Sequence, residues 1–182
     1  MNEKIKMLNG NLYNPADMEL TKNREYAKKL CHKYNLLPQN KKNDKNIILT
    51  QLLGKIGKNI LIESSFWCDY GYNIEVGDNF YSNHNLVILD PAKVKFGNNV
   101  LIGPNCGFYT AEHPLDTKTR NLGLEYAKEI NVGNNVWFGG NVTVLGGVTI
   151  GDNVVIGAGS VVTKDIPPNT IAFGNPCKAK NK

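Results

Sequence analysis

Val132-Gly-Asn-Asn-Val-Trp-Phe138-Gly-Gly-Asn-Val-Thr-Val144 continues through Leu145-Gly-Gly-Val-Thr-Ile150-Gly-Asp-Asn-Val-Val-Ile156-Gly-Ala-Gly-Ser-Val-Val162 as one unbroken pattern. Val132, Phe138, Val144, Ile150, Ile156 and Val162 stand six residues apart. Val136, Val142, Val148, Val154 and Ser160 each precede the next of them by two. A helix, with about 3.6 residues per turn, would smear a period of six around its surface. So many β-branched residues also disfavour a helix. Hairpins need longer alternating strands joined by turn pairs. The pattern therefore predicts a mainly β coil with a very short parallel strand on each flat side. Three six-residue segments complete a turn of eighteen.

Outward from this stretch, one mark recurs along the chain. Ile56-Gly-Lys-Asn59, Val76-Gly-Asp-Asn79, Phe96-Gly-Asn-Asn99, Val132-Gly-Asn-Asn135 and Ile150-Gly-Asp-Asn153 start 20, 20, 36 and 18 residues apart. Each mark reads as a corner, where Asn and Gly tolerate positive φ. The period holds at Phe96, Ile102 and Phe108, and in a shifted phase at Val76, Ile88 and Val94. Stacking one turn on the next buries each apolar residue, worth roughly 1.5–3 kcal/mol apiece before entropy is subtracted. The 36-residue gap is one regular turn plus an insertion, and it holds His113.

Before the first mark the period is helical. Ala27, Leu30, Cys31 and Tyr34 fall at i, i+3, i+4 and i+7, with Thr21 or Asn23 as the N-cap. Asn35-Leu-Leu-Pro38 ends that helix. A second begins near Asn43 or Asp44, carries Ile48, Leu52 and Ile56 on one face, and closes at Gly54. A stack of repeats needs caps at both ends. The helices cover one end; Asp165-Ile-Pro-Pro-Asn169 and Gly174-Asn-Pro-Cys-Lys178 break the period and close the other. One domain is expected: a helical cap over 1–55, a coil over 56–165 with an inserted loop at about 109–130, and a closing segment over 166–182.

Composition narrows the function classes. With 41% hydrophobic and 20% charged residues the chain has the profile of a soluble globular protein. No apolar run approaches the roughly 20 residues of a membrane-spanning helix. Met1-Asn-Glu-Lys-Ile-Lys-Met7 lacks the apolar core of a signal peptide, so a cytoplasmic location is expected. The net charge of +5 suits an anionic small molecule but is too diffuse for nucleic acid. Cys31, Cys68, Cys106 and Cys177 form no C-x-x-C pair and read as free thiols rather than zinc ligands.

The hexads, read as apolar–Gly–x–x–small–x, resemble those of the hexapeptide-repeat acyltransferases, whose fold is a left-handed parallel β-helix. The left hand comes with the resemblance; the usual rule for parallel crossovers would give the opposite. Five narrower motifs are similar to the maltose and galactoside O-acetyltransferases. They are Cys68-Asp-Tyr-Gly-Tyr-Asn-Ile74, Asn79-Phe-Tyr-Ser-Asn83, Tyr109-Thr-Ala-Glu-His-Pro-Leu-Asp116, Asn134-Asn-Val-Trp137 and Thr163-Lys-Asp165. Leu12-Tyr-Asn-Pro-Ala-Asp17 and the helix through Lys33-Tyr-Asn35 resemble the family's N-terminal segment.

The resemblance implies transfer of an acetyl group from acetyl-CoA to a sugar hydroxyl, without a metal, in a homotrimer with sites between coils. His113 aligns with the family's catalytic histidine. A neutral imidazole is the natural base for a hydroxyl proton and typically supplies about 10²–10⁴-fold. Asn83 matches a residue bordering the acetyl-transfer site, in contact with cofactor and acceptor. Asp17 and Asp69 match acceptor-hydroxyl partners, although Asp17 could equally cap a helix. Gly140 stands where a relative has Ser, keeping the backbone N–H toward the thioester and losing the hydroxyl. Ala158, Thr163 and Lys164 match contacts to the pantetheine and phosphates. Lys178 replaces an Arg near the adenosine 3′-phosphate, and binds as a point charge rather than bidentately. Trp137 either flanks the site or packs, and Lys178, Lys180 and Lys182 form a short basic tail.

His32 reads as a surface residue and His84 as a structural or substrate contact. Which carboxylate faces His113, Glu112 or Glu125, stays open. Three rivals remain: the same chemistry on a serine or antibiotic hydroxyl, a metal hydratase resembling γ-type carbonic anhydrases, and a non-catalytic module. The second needs three histidines at an interface, and with His32 on a helix two remain. The third leaves the His113 motif without a purpose.

Overall fold

A computed structural model describes residues 2–181. Three helices open the chain: α1 (Glu3–Leu8), α2 (Met18–Leu36) and α3 (Lys42–Leu52). The coil follows in stacked turns. The first carries β1 (Lys55–Ile56), β2 (Leu61–Ile62) and β3 (Trp67–Cys68); the second, β4 (Ile74–Val76), β5 (Tyr81–Ser82) and β6 (Val87–Leu89). The third carries β7 (Val94–Phe96), β8 (Leu101–Ile102) and β9 (Gly107–Tyr109). The insertion then leaves through β10 (Ala111–Glu112), α4 (Thr117–Asn121) and β11 (Tyr126–Ala127). Turn four is β12 (Ile130–Val132), β13 (Trp137–Phe138) and β14 (Thr143–Leu145). Turn five is β15 (Thr149–Ile150), β16 (Val155–Ile156) and β17 (Val161–Val162). Corresponding strands pair in parallel, giving three faces. Face one is β1-β4-β7-β12-β15, face two runs through β2-β5-β8-β13-β16, and face three is β3-β6-β9-β14-β17.

Every sixth residue points inward. Val132 stands over Ile150, Phe138 over Ile156 and Val144 over Val162, all buried. Phe80, Phe96, Phe108 and Phe138 form an edge-to-face column with centroids 4.9 to 5.2 Å apart. Such pairs add about 0.5–1.5 kcal/mol each beyond area burial.

The corner between faces one and two explains the recurring mark. Its asparagines Asn59, Asn79, Asn99, Asn135, Asn153 and Asn169 all have φ between 56° and 60°. Their side chains form a ladder, each Nδ2 donating to the next Oδ1 at 2.9 to 3.1 Å. The glycine of each mark has a different reason from the one expected: its φ is not positive. A Cβ on Gly77 would stand 2.5 Å from the Gly97 carbonyl oxygen, and one on Gly97 2.7 Å from Gly133. Close stacking of successive coils, not backbone handedness, requires glycine there.

Three boundaries differ from the sequence reading. The first long helix starts a turn earlier, capped by Asp17, whose Oδ1 accepts from Glu19 N at 3.0 Å and Leu20 N at 3.3 Å. Thr21 and Asn23 are inside it. The next helix ends at Leu52 before Gly54, and Ile56 belongs to β1 rather than to its face. Past Val162 the coil does not stop at once. Ile166 bridges Ile150, Asn169 extends the ladder, and β18 (Thr170–Phe173) pairs in parallel with β16. β19 (Lys178–Asn181) then folds back antiparallel on β18. Lys182 lies outside the described residues. All four cysteines are free and buried.

Candidate active site

The corner between faces two and three is built unlike its neighbour. At the first corner, the third residue of each of the first four marks has its amide taken. Lys58, Asp78, Asn98 and Asn134 donate N–H to the side-chain Oδ1 of Asp78, Asn98, Asn134 and Asp152 in the next coil, at 2.6 to 2.9 Å. At the second corner the same place in turns two to five is held by His84, Pro104, Gly140 and Ala158. His84 N–H turns to Asn83 Oδ1 at 2.7 Å, and Pro104 has no N–H to give. The Gly140 and Ala158 amides make no hydrogen bond among the described residues. Two backbone donors thus stand one above the other on the surface, a few residues from the exposed Trp137 indole on face two.

The insertion springs from the third corner. His113 is 57% exposed at its side chain, with Nδ1 3.5 Å from the Leu124 carbonyl oxygen and Nε2 3.8 Å from Glu125 Oε1. A carbonyl only accepts, so it favours a proton on Nδ1 and leaves the Nε2 lone pair free. Glu125 is held in turn: its Oε2 accepts the Tyr13 hydroxyl at 2.7 Å, and the two backbones bridge at 2.9 and 3.1 Å. The segment before α2 therefore straps the insertion. Glu112 is engaged elsewhere, paired with Lys128 at 3.0 Å.

Beside this strap lies a pocket of about 230 Å³ lined by Tyr13, Arg24, Lys28, Asp69, Tyr70 and Glu125 among others. Burial raises the Asp69 carboxyl above its ordinary value, against the pull of Lys28 and Arg24. Arg24 is fixed by the Tyr70 hydroxyl and the Pro15 carbonyl, both at 2.6 Å. Asp17 caps α2 and does not line this pocket.

The site residues expected from sequence fall in separate groups. His113 and Asp69 belong to the third corner; Asn83, Trp137, Gly140 and Ala158 belong to the second corner and face two. Face three lies between, and no hydrogen bond or ion pair joins the groups among the described residues. Thr163 and Lys164 follow β17, and Lys178 opens β19; all three are exposed. Sequence reading missed Tyr13, Arg24 and Lys28 as pocket walls, since no spacing ties them to residues about a hundred positions later. No group of three His, Cys, Asp or Glu able to hold a metal occurs among the described residues.

Comparison with known proteins places this geometry. The maltose acetyltransferase hexapeptide capping motif matches residues 6–57, and the six-repeat bacterial transferase hexapeptide model matches 129–164. A putative acetyltransferase of Saccharomyces cerevisiae is 53% identical over 95% of this chain and 89% of its own. The crystal structure of a maltose O-acetyltransferase from Clostridium difficile 630 superposes with a TM-score of 0.99 at 52% identity, over 100% of this chain and 97% of that one.

The chain belongs to the maltose and galactoside O-acetyltransferase family. This acetyltransferase is also similar to a galactoside acetyltransferase solved in complex with coenzyme A, with a TM-score of 0.96 and 38% identity. That match covers 100% of this chain and 91% of the other.

Proposed function

We propose that this acetyltransferase moves an acetyl group from acetyl-CoA directly to a sugar hydroxyl, with His113 as general base. The observation that carries the reading is the imidazole itself. It projects from the one irregular loop of a regular coil, with Nδ1 facing a carbonyl and Nε2 open beside a polar pocket. His113 Nε2 takes the hydroxyl proton as the acceptor oxygen bonds to the acetyl carbon. The Gly140 amide receives the negative charge that develops on the carbonyl oxygen, a contribution commonly about 10²–10³-fold. As the carbon–sulfur bond breaks, the imidazolium returns its proton to the leaving thiolate. No covalent enzyme intermediate is needed.

Acetyl-CoA would supply the thioester along the second corner. The unpaired Gly140 and Ala158 amides suit its polar arm, with Asn83 and Trp137 at the reacting end. Thr163, Lys164 and Lys178 would meet the phosphates, which lysines bind as point charges. Asp69 and the pocket around it would hold the sugar, with Asn83 reaching it across the interface. Asp17, already committed to its helix, would act on the acceptor only by keeping that segment in place.

A homotrimer completes the reading, because the base and the amides sit at different corners of one coil. Face two supports it: Tyr81, Leu101, Trp137, Val155 and Ile171 form an outward apolar stripe, whereas face one presents Lys55, Glu75 and Lys95. A neighbouring coil packed there would bring its third corner to this second corner.

The test measures thiol release from acetyl-CoA across sugars and small hydroxyl compounds, with wild type and His113→Ala. Turnover of a sugar by wild type and a loss of about 10²–10⁴-fold in the variant support the reading. Equal turnover in both proteins removes His113 as base. Activity on serine or another non-sugar hydroxyl alone removes the sugar. Light scattering on the purified protein gives the subunit count, and a monomer that is fully active rules out the shared site.

A further inference from the structure

The two open amides of the second corner belong to peptide units whose other ends are held from inside the coil. A peptide unit is planar, so whatever fixes its carbonyl also fixes the direction of its N–H. The carbonyl that shares a peptide with the Ala158 amide is that of Gly157, and it accepts the Ser160 hydroxyl at 2.5 Å. Ser160 in turn accepts the Gly174 amide at 3.1 Å. In turn four the place of Ser160 is held by Val142, which has no donor to offer. There the Gly139 carbonyl, which shares a peptide with the Gly140 amide, accepts the Cys106 thiol of the turn before at 3.2 Å. Cys106 Sγ also lies 3.8 Å from the Pro104 carbonyl, but that oxygen already accepts the Asn141 amide at 2.8 Å. No backbone hydrogen bond reaches the Gly139 or Gly157 carbonyl among the described residues.

Cys106 is 1% exposed and Ser160 is fully buried, so neither touches a molecule bound outside the coil. Burial pushes the Cys106 thiol above its ordinary value, against the N–H groups of Val142 and Asn141, and so preserves the proton that it donates. A donor on the carbonyl acts twice on the same peptide. It stops the plane from rocking, and it draws charge toward oxygen, which makes the N–H a stronger donor. Oxyanion stabilisation depends on donors that are in place before the charge develops.

We propose that Cys106 and Ser160 are positioning residues, holding the Gly139 and Gly157 carbonyls so that the Gly140 and Ala158 amides point at acetyl-CoA. This rests on the Gly140 amide as the oxyanion donor. Two side chains buried in the scaffold thereby act on the reaction without reaching it.

The experiment is steady-state kinetics of the full chain with acetyl-CoA and a sugar that wild type acetylates. Cys106→Val deletes the thiol and inserts the side chain that the stack already accepts at Val142. It should lose about 2- to 10-fold in kcat, the range of one hydrogen bond, with the KM for acetyl-CoA near that of wild type. Cys106→Ser keeps a donor and should recover most of that loss. Ser160→Ala should instead raise the KM for acetyl-CoA by a similar factor, because the Ala158 amide meets the polar arm rather than the reacting carbonyl. Thermal melts verify folding, and Cys106→Ala carries the same prediction if Cys106→Val does not fold.

Gly140→Pro removes the amide and leaves the Gly139 carbonyl in place. If Cys106 acts through that amide, Cys106→Val costs nothing further in the Gly140→Pro background. A full further loss there is the pattern of packing and overturns the proposal, as does a Cys106→Ser variant no faster than Cys106→Val. An unchanged KM in Ser160→Ala overturns the role of Ser160. If Gly140→Pro itself keeps full turnover, the oxyanion reading fails and the role of Cys106 falls with it. If Gly140→Pro is impaired while Cys106→Val matches wild type, the amide stands and only its support fails.

Discussion

The first and second corners of this coil are made from the same repeat and end in opposite states. At the first, each of the first four turns hands its amide to an Asp or Asn of the next, and the asparagine ladder runs on without a gap to Asn169. At the second, the ladder is short, Asn85 to Asn105 at 2.8 Å. The next ladder positions are Asn141 and Gly159, and the residues just before them, Gly140 and Ala158, have amides with no partner among the described residues. A complete corner is a scaffold. A corner left incomplete holds donors already aimed and rigid, as transition-state stabilisation demands.

The largest expected effect comes from removing one donor at the open corner. Pro104 occupies the position equivalent to Gly140 one coil earlier, and a Cβ on Gly140 meets nothing closer than 3.4 Å. Gly140→Pro should therefore fold, with a melting temperature near that of wild type, and lose about 10²–10³-fold in kcat. A folded variant with full turnover would mean the amide plays no part in the chemistry.

At the closed corner the pattern inverts. Gly97→Ala places a Cβ 2.7 Å from the Gly133 carbonyl and should cost about 1–3 kcal/mol in chemical unfolding. Turnover per folded molecule should stay close to wild type, since no site residue moves. Activity lost ahead of stability would show the two corners to be coupled.

The third corner adds a smaller, pH-dependent effect. Asp90 is fully buried, with Oδ1 accepting the amides of Asp69 at 3.0 Å and Tyr70 at 2.8 Å, while Oδ2 has no partner. Burial pushes its carboxyl up to about 8, against the lowering effect of those amides. The folded value lies above the unfolded one. Its contribution to stability is therefore full below about pH 4 and is lost as the pH rises through about 8. Melting temperature should fall by a few degrees between pH 6 and 9, and Asp90→Asn should flatten that slope. An identical slope in the variant would assign the loss to another group.

How much of this was legible follows from the range of the interaction. The period of six needs only neighbours in sequence, so the coil, its corners and the out-of-step insertion could be read directly. The glycine of each mark was legible as a requirement but not in its cause, because Gly97 meets Gly133 across an insertion. His113 could be singled out by its motif. Its surroundings could not, because Tyr13 and Glu125 are 112 residues apart and no periodicity relates them. Asp17 carried two readings in sequence, and the cap geometry accounts for its carboxylate.

The smallest effect separates the two reasons for asparagine in the ladder. Asn135, at φ 56°, accepts from Asn99 at 2.9 Å and donates to Asn153 at 3.1 Å. Asn59, at φ 57°, is the first rung and donates to Asn79 at 3.0 Å. An alanine at either site keeps a Cβ in the left-handed region, costing about 1–2 kcal/mol, and loses the ladder as well. Glycine removes the backbone penalty and isolates the side-chain bonds. Exposed bonds of this kind contribute at the low end of about 0.5–1.5 kcal/mol. Asn135→Gly should thus lose more than Asn59→Gly, because it breaks two rungs and splits the ladder, whereas the end variant only shortens it. Chemical unfolding of the two variants reads the difference directly. Equal losses would mean that left-handed geometry alone selects asparagine at this corner and that the ladder only accompanies it.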